Sequence, residues 1–105
     1  MSLSKIWQST AYLHERFANV SYDNPLYLTA RWEKLAEEYR EFTEAEDADD
    51  LCKEAVDVIV TLIGVLQARG IPLSQLEDGV NAVIAKNGAK THETHKLEGF
   101  TIVRR

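Results

Sequence analysis

Between residues 35 and 60 the chain reads LAEEYREFTEAEDADDLCKEAVDVIV, and four of its acids fall into two pairs of equal spacing. Glu38 and Glu41 stand three apart, as do Glu54 and Asp57. Three residues is close to one helical turn, so on helices each pair shares a face. The second pair is the more telling, because Ala55, Val56, Val58, Ile59 and Val60 surround it. An unpaired carboxylate is costly to bury and like charges nearby raise that cost, so protonation or a cation must relieve the strain. Ligands that are all oxygen, without Cys or His, suit a hard ion such as Mg²⁺ or Mn²⁺. A ferritin-like di-iron site needs Glu-x-x-His pairs, and the two helices that carry these acids hold no histidine, which makes iron the second choice.

The elements that must position these acids follow from periodicity. Leu3, Ile6, Thr10, Leu13, Phe17 and Val20 recur at three-and-four spacing and predict a first helix with one buried stripe. NVSYDNP ends it, with Asp23 or Asn24 as N-cap and Pro25 opening a second helix on Leu28, Trp32, Leu35, Tyr39 and Phe42. EAEDADD closes that helix, and its acids suit the start of a third. The third runs from about Asp49 to Arg69 and stops at Gly70. SQLE, Ser74 to Glu77, reads as the capping box of a fourth helix that ends near Gly88. Residues 89–105 read as irregular, with a short extended piece at Phe100 to Val103.

The predicted class is therefore all-α, a four-helix bundle forming a single domain over residues 1–105. The third helix is apolar around nearly its whole circumference, through Leu51, Val56, Ile59, Leu62 and Leu66 among others. One small bundle cannot cover all of that, so homo-oligomerisation, as a homodimer or homotetramer, is expected to complete it. Its one polar strip holds Glu54, Asp57, Thr61 and Gly64.

If the second and third helices form an antiparallel hairpin, residues at equal height share a constant sum of residue numbers. Glu41 with Glu54 gives the same sum as Glu38 with Asp57, and the implied turn is centred between Asp47 and Ala48. The two pairs would stack about 4.5 Å apart along the axis, so that four carboxylates converge on one patch.

Composition narrows the partners. With 17 acidic against 12 basic residues and a net charge of −5, duplex nucleic acid and anionic membrane surfaces are poor partners. A single cysteine, Cys52, makes no internal disulfide and suits a reducing compartment. The N-terminal residues hold no continuous apolar core of a leader, and no run of about 18 apolar residues occurs. The expectation is a soluble cytoplasmic protein.

These acids resemble the signature of the all-α nucleoside triphosphate pyrophosphohydrolases, a superfamily that includes the MazG-like proteins, dimeric dUTPases and phosphoribosyl-ATP pyrophosphohydrolases. The signature is E-E-x-x-E, a gap, then E-x-x-D, and here it reads Glu37-Glu38-Tyr39-Arg40-Glu41, twelve residues, then Glu54-Ala55-Val56-Asp57. The resemblance runs from HERF at residues 14–17 to AKNGAK at residues 85–90. It implies a MazG-like bundle with Glu38, Glu41, Glu54 and Asp57 as Mg²⁺ ligands and Glu37 as a further or alternative one. It also implies cleavage of a nucleoside or deoxynucleoside triphosphate between its α and β phosphates, giving monophosphate and pyrophosphate. Glu38 or Glu41 would take the proton of the attacking water.

Lys86, Asn87 and Lys90 match the place where such relatives put phosphate-contacting groups, although lysines at a helix C-terminus also favour its dipole. Lys34 and Arg31 project from the Glu38 side of the second helix and would serve either substrate or solubility. Trp7, Ala11 and His14 form a strip suited to a base and sugar, or to a core. His92 and His95 lack the remaining ligands of a metal site and read as solvent-facing or as part of a tail over a neighbouring subunit. Gly64 costs about 1 kcal/mol in a helix relative to alanine and marks close approach by substrate or a crossing helix. Two alternatives stay open: phosphoribosyl-ATP as the substrate, and a non-catalytic helical dimer or adaptor whose acids hold a structural metal.

Overall fold

The side chains that cap each helix decide where the elements begin. The computed structural model describes residues 2–17 and 24–105, which form α1 (Leu3–Arg16), α2 (Pro25–Glu44), α3 (Ala48–Ala68), α4 (Leu73–Gly88), β1 (His95–Glu98) and β2 (Thr101–Arg104). Ser2 caps α1 by accepting from the Lys5 amide. Asn24 Oδ1 accepts from the Leu26 amide at 2.9 Å, and Pro25, which has no amide hydrogen to satisfy, opens α2. Asp23, the other candidate cap, and Val20 lie outside the described residues. Asp47 Oδ1 caps α3 through the Asp50 amide at 2.9 Å. At the other end of α3 the Ile71 amide reaches back to the Leu66 carbonyl at 3.1 Å, and Gly70 turns the chain at φ 72°. That left-handed conformation is the one a side chain resists.

The class is all-α, with four helices and one short hairpin among the described residues, and the chain divides into two compact units, Met1–Leu73 and Ser74–Arg105. In the first unit α2 and α3 pack against each other and α1 packs on α3. The core gathers on the last third of α3, where Ile63, Val65 and Ala68 are buried with Gly64, and Thr10 of α1 joins them. The first helical stripe is less buried than its spacing predicts: Leu13 and Phe17 are exposed. The second behaves likewise at Trp32 and Tyr39, on faces of α2 that its packing against α3 does not cover. No helix among the described residues is long and apolar enough to cross a membrane.

The second unit departs from expectation at two points. α4 starts at Leu73, so Ser74 lies within its first turn instead of capping it; Pro72 immediately ahead sets the backbone there. The expected irregular tail is a β-hairpin, whose second strand overlaps the extended piece expected at Phe100 to Val103. β1 and β2 run antiparallel with Leu97 opposite Ile102 and Glu98 opposite Thr101, which leaves Gly99 and Phe100 as a two-residue turn. Gly99 at φ 62° supplies the positive φ that such a turn demands at its first position. Four-residue strands are too short for alternation to stand out from noise, and Gly-Phe between HKLE and TIVR is the one available signal.

Gly64 resolves differently from both readings of it. A Cβ there would lie 3.6 Å from His14 Cε1 and 3.7 Å from Arg31 Nη1, ordinary van der Waals contact with two side chains. Alanine therefore fits. Gly64→Ala is expected to raise unfolding stability by about 1 kcal/mol, and Gly64→Leu to lower it by about 1–3 kcal/mol through overpacking; urea unfolding midpoints check both.

Candidate metal centre

The turn between α2 and α3 sets which acids meet. α2 ends at Glu44 and α3 begins at Ala48, so the connection is Ala45 to Asp47 and its centre is Glu46, earlier than the centre the acid spacing implied. At this register Glu38 faces Glu54 at equal height, Glu41 sits one turn closer to the loop, and Asp57 comes opposite Leu35. The geometry agrees: one carboxylate oxygen from each of Glu38, Glu41 and Glu54 lies within 4.8 Å of the others. Asp57 stands outside this group and is exposed; its backbone carbonyl accepts from Thr61 Oγ1 at 2.7 Å.

Glu38 is buried, while Glu41 and Glu54 are half-buried. Lys34 Nζ stands 3.0 Å from Glu38 Oε1 and 3.7 Å from Glu37 Oε2. The hydrogen bond to Glu38 is the main reason the Lys34 ammonium holds its proton more tightly than usual. Lysine four residues before glutamate is the weaker order for a helical pair, so the burial of Glu38 accounts for the closeness. The other oxygens have no such help: Glu38 Oε2 and Glu54 Oε2 are buried with no hydrogen-bond partner among the described residues. The Glu38 carboxylate, ahead of desolvation and the charges of Glu54 and Glu37, pushes the Glu41 carboxyl above its ordinary pKa.

Two orphaned buried oxygens and a third acid that resists ionising are what a hard divalent cation would satisfy, and the donor set is all oxygen. No other group of three possible ligands gathers among the described residues. His92 and His95 in particular find no such company; His95 Nδ1 hydrogen-bonds Thr94 Oγ1 at 2.7 Å.

Arg31 is placed against expectation. It is buried, so surface solubility is not its role. Its guanidinium hydrogen-bonds His14 Nε2, donates to the Tyr27 hydroxyl at 2.8 Å and lies 4.9 Å from the Tyr27 ring centre. A guanidinium can only donate, so His14 Nε2 accepts and the imidazole is neutral. Burial first, and then the Arg31 charge, holds the His14 pKa below its usual value. His14, Arg31 and Lys34 line a cavity of about 390 Å³ with Leu13, Phe17 and Tyr27. The partnership of His14 and Arg31 links two helices across 17 positions, and no local pattern announces it. Trp7 is half-buried, and its carbonyl accepts from Gln67 Nε2 at 2.9 Å. Lys86 and Asn87 lie in the last turn of α4, and the Lys90 amide just beyond the helix donates to the Asn87 carbonyl at 3.2 Å.

Comparison with known proteins adds one finding. The family model for phosphoribosyl-ATP pyrophosphohydrolase matches residues 12–83, a span that contains α2, α3 and all four acids. No curated protein and no solved structure matches the chain.

The charge pattern fixes a pH dependence. Because the Glu41 pKa is raised on folding, the folded state binds that proton more tightly than the unfolded one. The metal-free fold therefore loses stability as pH rises from the ordinary carboxylate range through the raised pKa. Above that pKa, Glu41→Gln is expected to melt at a higher temperature than wild type in EDTA. The difference disappears at pH below the ordinary carboxylate range. Mg²⁺ should then raise Tm more in wild type than in the variant, since binding to the native state stabilises by mass action; thermal scans with EDTA or Mg²⁺ across pH check all three.

Proposed function

We propose, since the chain belongs to the phosphoribosyl-ATP pyrophosphohydrolase family, that it cleaves a triphosphate-bearing nucleotide between the α and β phosphates and releases pyrophosphate. The observation that carries this reading is the convergence of Glu38, Glu41 and Glu54 with two buried oxygens unsatisfied, inside the acidic signature read from the sequence. Glu38, Glu41 and Glu54 would hold Mg²⁺, or Mn²⁺ in its place, with Asp57 added by the signature. Such an ion, when bound, neutralises phosphate oxygens and acidifies a bound water.

The chain's own groups divide the remaining work. Glu41, half-buried and raised in pKa by its neighbours, is suited to accept the proton of the attacking water, with Glu38 as the other candidate. Lys34, which holds Glu38 at 3.0 Å, supplies a donor for phosphate oxygens; Lys86, Asn87 and Lys90 are proposed as further phosphate donors on the family resemblance alone. Phosphoribosyl-ATP is the substrate the family match favours. Nucleoside and deoxynucleoside triphosphates present the same triphosphate to the same acids and are the second reading.

Residues 1–105 act as one domain in this proposal, although they group into two compact units. Trp32, Tyr39, Val56, Ile59 and Leu62 are exposed, and a homodimer or homotetramer would cover them. A nucleotide substrate also goes with a cytoplasmic setting, in keeping with the free thiol of Cys52.

A panel of nucleoside triphosphates, deoxynucleoside triphosphates and phosphoribosyl-ATP, assayed for pyrophosphate with and without Mg²⁺, tests the proposal. Mg²⁺-dependent release on at least one substrate is expected, with kcat/KM lower by about 100-fold or more in Glu38→Gln and Glu54→Gln. Absence of turnover on every nucleotide, alongside measurable Mg²⁺ binding, would favour the non-catalytic metal-stabilised reading.

A further inference from the structure

One cation stands among the acids of the candidate metal centre. Lys34, Glu37, Glu38 and Glu41 follow the i, i+3, i+4, i+7 spacing, so one face of α2 carries all of them. From α3, Glu54 brings a carboxylate oxygen within 4.8 Å of those of Glu38 and Glu41. Lys34 Nζ lies 3.0 Å from Glu38 Oε1 and 3.7 Å from Glu37 Oε2, and the Glu41 charge acts on it as well. Among the described residues no other cation pairs with these acids.

The two ends of the Lys34–Glu38 pair differ. The Glu38 side chain is 10% exposed and that of Lys34 is 51% exposed. Packing between helices already orients the carboxylate, so the contact brings it charge more than position. A lysine head on a four-carbon stem, by contrast, can leave its partner for water. The compensation is also incomplete, since Glu38 Oε2 and Glu54 Oε2 are buried with no hydrogen-bond partner among the described residues. A divalent cation held by Glu38, Glu41 and Glu54 would bring two further positive charges to the carboxylate that Lys34 touches, and the two cations would repel across that group.

We infer that Lys34 is a tethered counter-ion of the acid cluster, competing with the divalent cation for Glu38, so that metal binding and the Lys34–Glu38 contact oppose each other. The inference rests on the metal centre of the proposed function and goes beyond it by giving Lys34 a role before any nucleotide binds. The coupling is reciprocal: the contact lowers metal affinity by the same factor by which metal weakens the contact. Metal that loosens the contact also releases the ammonium toward a phosphate oxygen, which joins the two roles of this residue. Had Lys34 served to steady Glu38 as a ligand, the same contact would favour metal, and the sign of its effect separates the two arrangements.

Titration calorimetry of the full chain with Mg²⁺ alone, in the absence of nucleotide, reads that sign without recourse to turnover. Lys34→Met removes the charge and keeps the length of the stem. It should bind Mg²⁺ about three- to tenfold more tightly than wild type at about 0.01 M salt, and the gain should shrink at about 1 M salt, where the screening length falls from about 30 Å to about 3 Å. Lys34→Arg keeps the charge and should stay within about twofold of wild type. Lys5→Met makes the same change in net charge far from the acids, since the nearby Trp7 carbonyl meets Gln67, about 20 Å along α3 from Glu54 at about 1.5 Å per residue; it should leave the affinity unchanged. Circular dichroism establishes that Lys34→Met keeps its helices, and Lys34→Arg tests the inference without loss of charge. Equal or weaker Mg²⁺ binding in Lys34→Met, or an equal gain in Lys5→Met, would overturn the inference, and absence of Mg²⁺ binding in every variant would overturn it together with the metal centre. Tighter Mg²⁺ binding by Lys34→Met, in a protein that hydrolyses no nucleotide, would support the counter-ion and count against the proposed function. Unchanged binding beside Mg²⁺-dependent pyrophosphate release would do the reverse.

Discussion

Three carboxylates held within 4.8 Å of one another form the constraint around which the N-terminal unit is arranged. Left to themselves such groups separate, since their repulsion is stronger where burial lowers the effective dielectric. They stay together because they ride on two packed helices, and the helix caps and the short connection at Ala45–Asp47 fix the relative register of those helices. Lys34 compensates one oxygen of Glu38. The oxygens left over, Glu38 Oε2 and Glu54 Oε2, and the elevated pKa of Glu41 record the same imbalance in two ways.

What holds the helices in place lies further along α3. Its last third is buried, and there His14 from α1 and Arg31 from α2 come together beside Gly64. Arg31 meets a neutral imidazole, a hydroxyl and an aromatic face. This buried charge makes a specific three-helix junction, and it stands two turns from Glu38 on α2, at about 1.5 Å per residue. The loop-proximal half of the hairpin therefore carries the chemistry and the far half carries the packing. Exposed Trp32, Tyr39, Val56, Ile59 and Leu62 form the apolar surface that neither half covers.

The four helices are legible in the sequence because each rests on signals that act over a turn or two: Pro25 behind Asn24, Asp47 before α3, Gly70 after it. The acids stand out for the same reason, as carboxylates in an apolar run. The hairpin at residues 95–104 is not legible, because strand pairing is a relation between segments, and four residues per strand give alternation little room. The role of Arg31 is hidden as well. Its partner His14 is on another helix, and burial of a guanidinium depends on what comes to meet it.

The sequence by itself determined the helical class, the extent of α2 and α3 to within about one or two residues at the turn between them, and the presence of Glu38, Glu41, Glu54 and Asp57 on two adjoining helices. Only the tertiary structure decided that Glu38 meets Glu54 while Asp57 remains apart. It also decided that Lys34 closes on Glu38 and that Arg104 joins Lys86 and Lys90 around one cavity. Helix limits and faces are set by neighbours within one turn. Which charge stands beside which is set by inter-helix register, where a shift of the turn by one or two residues exchanges one partner for another.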